Sequence, residues 1–572
     1  MKHIFLMYLC LLFASAETSA QAIDPAETNF ISPINHTLKI SGTFGELRSN
    51  HFHSGIDIKS SNGHSGDPII CVEDGFVSRI KIQLSGYGKA LYIDHPNGYT
   101  SVYGHLKNFH PSIEAFIRDQ QYAAESYTLD IYLSENEFTF SQGDTIAIMG
   151  NSGRSYGPHV HFEIRNTITE EPINPYIFDI LPQDQVRPTI KNVMIYSMDD
   201  KKNTLKQVKR KAIKNGSRYT LKNNTIEVDG WRASVGVESY DFMDDVWNKN
   251  GVYKYSLWVD DSLHYSYEFD QFSFDQSRYI NSCIDYTCKS KKSIKLLRFY
   301  KEPGNKLTSF SPAGQKGVFP VYLDKPRSVK ITTEDFSQNK SELNFLVKRK
   351  AEVSEQVADN YNYLLLYNRE NIIGYNGCTI SIPDGSIYND MGIRMNVEKG
   401  SSPTDYMDIQ FGKKSIPLHR YVTMNIDITS IPDSLRSKLC LQYIDGGKSK
   451  SFGGIVQGSK FVVKANRMGK YKLTTDTVAP TITSENKSYS KKPGSRLKYK
   501  ISDNFTVLGS AAELALDVYI DGMWTLSSYD LKYDTVFVHL PENLQKGSHV
   551  LLMKVTDHRG NTKKLEKTIQ II

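Results

Sequence analysis

The chain has 572 residues, too many for one hydrophobic core, and its hydrophobic fraction of 39% describes a globular, multidomain protein. Its 69 basic and 63 acidic side chains leave a net charge of +6, too mild for a nucleic-acid-binding protein although no bar to an acidic polymer. Of the 6 cysteines, Cys10 sits in the leader described next, and the remaining Cys71, Cys283, Cys288, Cys378 and Cys440 are odd in number, so not all can pair internally.

The first residues, MKHIFLMYLCLLFASAETSAQA, have a basic start, an apolar run from Ile4 to Phe13 and small residues after it. The run is too short to cross a bilayer, so residues 1–22 are expected to be a secretory signal peptide. Tyr8 and Leu9 are too bulky before Cys10 for a lipid-attachment signal. No later segment approaches a membrane span. The mature chain is therefore expected to be secreted, periplasmic or associated with the cell envelope.

Residues 30–182 read as one domain of glycine-punctuated β-runs, such as Ala90-Leu-Tyr-Ile-Asp94 and Thr145-Ile-Ala-Ile148. Ile113, Phe116 and Ile117 stand at helical spacing and predict one helix over about 113–126. Nine of the chain's 15 histidines fall in this segment. In Gly157-Pro-His-Val-His-Phe-Glu-Ile-Arg165, residues two apart share a strand face. His159, His161 and Glu163 then lie on one face, and Val160, Phe162 and Ile164 on the other. Upstream, NHFHSGIDIK carries His53 and Asp57. Two imidazoles and one carboxylate, His53, Asp57 and His161, with a fourth position open, form the pattern of a catalytic Zn2+ site. A third element, YTSVYGHL, alternates Val102 and Gly104 with Tyr103 and His105, which makes His105 a second histidine that is not a ligand. Arg48, just before the first ligand motif, is suited to holding a substrate carboxylate, and Tyr103 to positioning substrate. Glu163 is a candidate for orienting a ligand.

In this order, HxxxD, YGHL and GPHVHFEIR resemble the lysostaphin-type (LytM-like) zinc endopeptidases that cut peptidoglycan cross-links. Gly86-Tyr-Gly88 with LYIDHPNGYTSVYGHL, Gly143-Asp-Thr-Ile146, MGNSGRSYGPHVHFEIR and EPINPYIF extend the resemblance over about residues 36–180. It implies an antiparallel β-sheet peptidase domain, zinc held by His53, Asp57 and His161, and His105 and His159 handling the water and the developing oxyanion. Which of those two is base and which electrophile stays open. The implied substrate is peptidoglycan, attacked through a metal-activated water. Two other readings remain: a catalytically silent wall-binding activator of another hydrolase, and a zinc peptidase acting on proteins. The stretch from Lys107 to Gln142 is longer than the family's usual connection and places the helix near the cleft. A chain ending near residue 182 is expected to bind zinc by itself.

The remainder of the chain contains a repeat. DQVRPTI from Asp184 and DTVAPTI from Asp476 each open a segment with the same later landmarks: VESYDFMDD, YKYSLWVDD and TTEDFSQNKS in the first, YKISDNFT, LDVYIDG and KVTDHRGNTK in the second. Short alternating runs between Asp, Gly and Asn turns predict Ig-like β-sandwiches over 184–350 and 476–572. The first carries an insertion of about forty residues relative to the second, including Cys283 and Cys288, which either close a small disulfide or stay as buried thiols. Residues 351–475 read as a third β-rich, sandwich-like module. The expected fold class is mostly β. Asp503, Asp521 and Asp557 are read as turn residues rather than calcium ligands. These modules suit spacing the catalytic domain, or binding the wall or an envelope protein partner.

Overall fold

The strand His159–Asn166 stands at the centre of the N-terminal domain, because its alternate residues Val160, Phe162 and Ile164 are fully buried. In a computed structural model of the chain it pairs antiparallel with Ile56–Lys59 on one side and Tyr99–Gly104 on the other. The sheet continues outward through Lys89–Asp94, Gly75–Ile82 and Leu129–Tyr132. The structure describes residues 24–572 except 201–203, 309, 312–315, 352–359, 403, 447–449 and 509–513. The expected signal peptide lies outside the described residues.

Burial of one sheet face decides which residues point away from it. Val160, Phe162 and Ile164 pack with Ile56, Ile58, Val77, Ile80 and Leu91 in one core, so His161 and Glu163 are turned to the opposite face. The helix spans Pro111–Ala123 and buries Ile113 and Ile117, close to the 113–126 expected. Proline in its first turn costs nothing, since that N–H has no helical partner.

Residues 189–349 form a long strand series folded around one core that draws on Val193, Val235, Leu257, Ile331 and Phe345. The expected insertion includes the short helices Phe274–Ser277, Ile280–Cys283 and Tyr286–Lys292. Residues 363–475 form a separate core between two sheets of five strands, the second extended by Thr506–Val507, with an added pair. Residues 481–571 build a four-stranded and a five-stranded sheet around Leu497, Val518, Val536 and Met553. Cys71, Cys283, Cys288, Cys378 and Cys440 are all free, so the thiol reading holds for Cys283 and Cys288. Among the described residues, no helix is long and apolar enough to cross a membrane.

Two features tie the N-terminal domain to the rest. Phe44 and Phe52 belong to the core of the following region. Phe52 lies 5.6 Å from Phe269 and 5.7 Å from Phe272, ring centroid to centroid, and its N–H donates to Ser277 Oγ at 2.9 Å. The last sandwich folds back onto the same domain. Lys532 Nζ donates to the Asn151 carbonyl at 2.6 Å, Tyr122 meets Trp524 edge-on at 5.4 Å, and Leu84 packs on the sandwich core.

Candidate active site

Register brings the three expected ligands together. Asp57 sits directly opposite His161 across the central strand pair, and His53 lies just before the strand that carries Asp57. His53 Nε2, Asp57 Oδ1 and His161 Nδ1 form a triangle with all three sides 3.0 Å. All three residues are buried.

The tautomers follow from the outer bonds. His53 Nδ1 faces the Thr43 carbonyl at 2.8 Å and must donate to it, leaving Nε2 with a lone pair. His161 Nε2 faces Glu163 Oε1 at 2.6 Å and donates, so in the neutral ring Nδ1 is the nitrogen with the lone pair. Two nitrogen lone pairs and a carboxylate oxygen thus converge on one point, which repels itself unless a positive charge sits there. A tetrahedral zinc ion with bonds of about 2.0–2.1 Å holds its donors about 3.3 Å apart, close to this triangle. The donor set and its spacing fit a zinc ion.

Electrostatics point the same way. Burial works against an ionised Asp57, yet His53 and the bonds from three histidines hold its carboxyl well below the usual range. Burial pulls His161 down, but its bonds to Asp57 and Glu163 outweigh this and hold it up at about 9. A divalent cation answers the same two carboxylates, so metal uptake displaces that proton.

Glu163 is fully buried. It accepts from His161 at 2.6 Å, from Ser54 Oγ and the Tyr87 hydroxyl at 2.5 Å each, and from Arg165 Nε at 2.7 Å. Burial opposes its charge, but Arg165 and then His161 keep it far below the ordinary carboxylate range. It therefore fixes the His161 tautomer and ring orientation. Glu163→Gln is expected to weaken zinc retention about 10- to 100-fold, read by competition with a chelator; unchanged retention removes the orienting role.

His105 and His159 flank the triangle with their rings 4.7 Å apart. His105 Nδ1 donates to the Ser152 carbonyl at 2.8 Å and His159 Nδ1 to the Gly157 carbonyl at 2.8 Å. Each ring keeps Nε2 for the site, and that of His159 lies 3.5 Å from Asp57 Oδ1. Burial, then the neighbouring His159 and His161, pushes His105 down to about 3, so it is neutral at working pH. Its φ of 60° is left-handed, an uncommon backbone for a residue other than glycine that clusters at functional sites. The Tyr87 carbonyl holds it there by accepting its N–H at 2.7 Å.

Two expected substrate contacts are corrected. Tyr103 is wholly buried, pairs with Phe162 across the sheet, and its hydroxyl oxygen accepts from Ser101 Oγ at 3.0 Å and from the Val72 N–H at 3.3 Å, inside the core. It cannot touch substrate. The left-handed turn at His105 breaks the alternation that had put both side chains on one face. Arg48 is committed elsewhere: its Nη2 donates to Asp57 Oδ2 at 2.8 Å and lies 3.2 Å from Glu46, so it holds the ligand carboxylate. Gly42 makes room for this pair, since a Cβ there would lie 2.3 Å from Arg48 and 2.5 Å from Asp57. Tyr87 was missed. It stacks on His161 at 4.9 Å and 21°, and the only sequence signal was its place in the Gly86-Tyr-Gly88 turn.

Residues 51–130, which hold His53, Asp57 and His105, match peptidase family M23. The chain carries an M23 peptidase domain. The DD-carboxypeptidase/endopeptidase Mpg of Neisseria meningitidis serogroup B is 31% identical to it over 150 residues, 25% of this chain and 28% of that protein. A metalloprotease of Haemophilus influenzae is 27% identical over 149 residues, 25% and 26% of the two chains. The catalytic domain of lysostaphin from Staphylococcus simulans matches 25% of this chain and 91% of its own length, at 17% identity and a TM-score of 0.19. The chain thus spans less than a third of the length of the Neisseria and Haemophilus relatives. Outside the M23 domain, residues 362–476 match a Zu5-like domain.

Proposed function

We propose that the chain is a zinc-dependent endopeptidase that hydrolyses peptide cross-links of bacterial peptidoglycan, exported to the cell envelope. The observation that carries the reading is the 3.0 Å triangle of His53, Asp57 and His161, with two further imidazoles facing it. Zinc bound there supplies Lewis acidity, which makes water a usable nucleophile near neutral pH and polarises an amide carbonyl. The protein's own part is proton handling and orientation. Neutral imidazole at His105 takes or orients a proton through Nε2, and His159 stands across from it as the partner of opposite role. Glu163 and Arg48 hold two of the ligands in place. The name of the Neisseria relatives, DD-carboxypeptidase/endopeptidase, supports a peptide as substrate. An inactive regulator has no need of all three ligands and both flanking histidines, which favours catalysis.

Incubating the full chain with purified sacculi, with and without a chelator, tests this. The expected result is conversion of cross-linked muropeptides to uncross-linked ones, abolished by chelation and restored by zinc. Intact sacculi beside cleaved casein favour a protein substrate, and no cleavage of either sinks the enzyme reading.

A further inference from the structure

A second cluster of charged groups lies at the junction between the M23 domain and the region 189–349. Asp184 is in the connector, Asp241 follows the strand Arg232–Tyr240, and Asp335 follows the strand Arg327–Glu334. One carboxylate oxygen from each lies within 4.8 Å of the other two. Asp241 is 1% exposed and Asp335 5%, and Asp241 Oδ1 has no hydrogen-bond partner. A second buried group points to the same place. Tyr176, from the end of the M23 domain, is 5% exposed, its hydroxyl has no partner, and the same three carboxylates act on it. Tyr176 and the three aspartates line one narrow cavity.

Three carboxylates facing one another, two of them buried and Asp184 half-buried, are unfavourable unless a cation or protons intervene. Among the described residues, no lysine, arginine or histidine figures among the leading influences on any of them. Burial, then mutual repulsion, raises Asp241 to about 9.

We propose that Asp184, Asp241 and Asp335 bind a calcium ion that clamps the connector to the end of the following sandwich. All donors are oxygen and the charge is threefold negative, which selects a hard divalent cation over zinc. The site is distinct in chemistry from the His–Asp–His triangle, so one chain sorts two metals by ligand type.

The repeat supplies an internal control. The first copy builds its site on a fixed frame: Asn339 donates to both oxygens of Asp335 at 2.8 and 2.9 Å and to the Asp184 carbonyl at 3.1 Å. In the second copy Asn561 donates to Asp557 at 2.9 and 2.8 Å and to the Asp476 carbonyl at 3.0 Å. Asp241 corresponds to Asp503. One position differs in sign. Where the first copy has Ser337, the second has Arg559, on which Asp557 and Asp476 both act. The second copy thus has a guanidinium near its acidic group, donating to the Leu439 and Gly454 carbonyls, where the first has a serine.

The test is calcium titration of the zinc-loaded full chain, followed by calorimetry and melting curves. One calcium per chain is expected, with a raised melting temperature. Asp241→Asn is expected to weaken binding roughly tenfold or more, because affinity follows ligand charge count. Its calcium-free melting temperature should equal or exceed the wild type's, a sign that a merely structural role does not give. Asp184→Asn is read the same way if Asp241→Asn does not fold. Asp503→Asn should leave the calcium response intact. No response in the wild type up to about 10 mM calcium, or an equal response in Asp241→Asn, overturns the proposal.

Discussion

Replacing His159 with alanine is expected to cut turnover by about 10²- to 10⁴-fold while zinc stays bound, because a positioned acid or base is worth that much. The same change at Asp57 or His161 is expected to lose metal and activity together. The contrast rests on geometry. Asp57 Oδ1 and His161 Nδ1 are corners of the 3.0 Å triangle, whereas His159 stands outside it, 3.5 Å from Asp57 through Nε2. Its Nδ1 is tied to the Gly157 carbonyl, so its truncation removes one contact to Asp57 and leaves the three sides of the triangle in place. Metal content of the purified variants, measured beside their rates on sacculi, separates the two classes. Full zinc occupancy in His161→Ala breaks the ligand assignment, and zinc loss in His159→Ala moves that residue into the ligand set.

Phe52→Ala is expected to cost about 3–5 kcal/mol of stability, the usual result of emptying a buried aromatic site. The position is 2% exposed and its ring is held by Phe269 and Phe272, more than two hundred residues along the chain. The next residue is the ligand His53. Loss of the ring therefore frees the loop that carries a metal ligand, and zinc affinity is expected to fall with stability although no ligand is changed. A melting curve and a chelator competition on one preparation check both parts. An unchanged melting temperature shows that the two domains do not share this core. The shared core also revises the expectation for a chain cut near residue 182, which exposes Phe44 and Phe52 and is expected to lose stability even where it keeps all three ligands.

The convergence of His53, Asp57 and His161 was legible because it depends on local rules. His159 and His161 alternate with apolar residues, and the alternation alone sets which side is buried. Asp57 alternates with Ile56 and Ile58 in the same way. Tyr103 was misplaced because a period of two was carried one residue too far, through a backbone that turns left-handed at His105. Arg48 was given to substrate because no pattern in the sequence announces that Asp57 Oδ2 needs a donor. Tyr87 lies in a glycine turn, where periodicity carries no information. The partnership of Phe52 with Phe269 and Phe272 was hidden for a simpler reason: each reads as an ordinary core residue, and nothing local says whose core it joins. The three aspartates at the junction were visible as repeat landmarks, but only their approach in space separates a turn residue from a ligand.

The return of the last sandwich to the N-terminal domain has a consequence for the site. Lys532 grips the carbonyl of Asn151, and the very next carbonyl, that of Ser152, aims His105. Two successive carbonyls thus connect the last sandwich to the imidazole proposed to handle a proton. Changes around residue 532 are therefore expected to reach the orientation of His105.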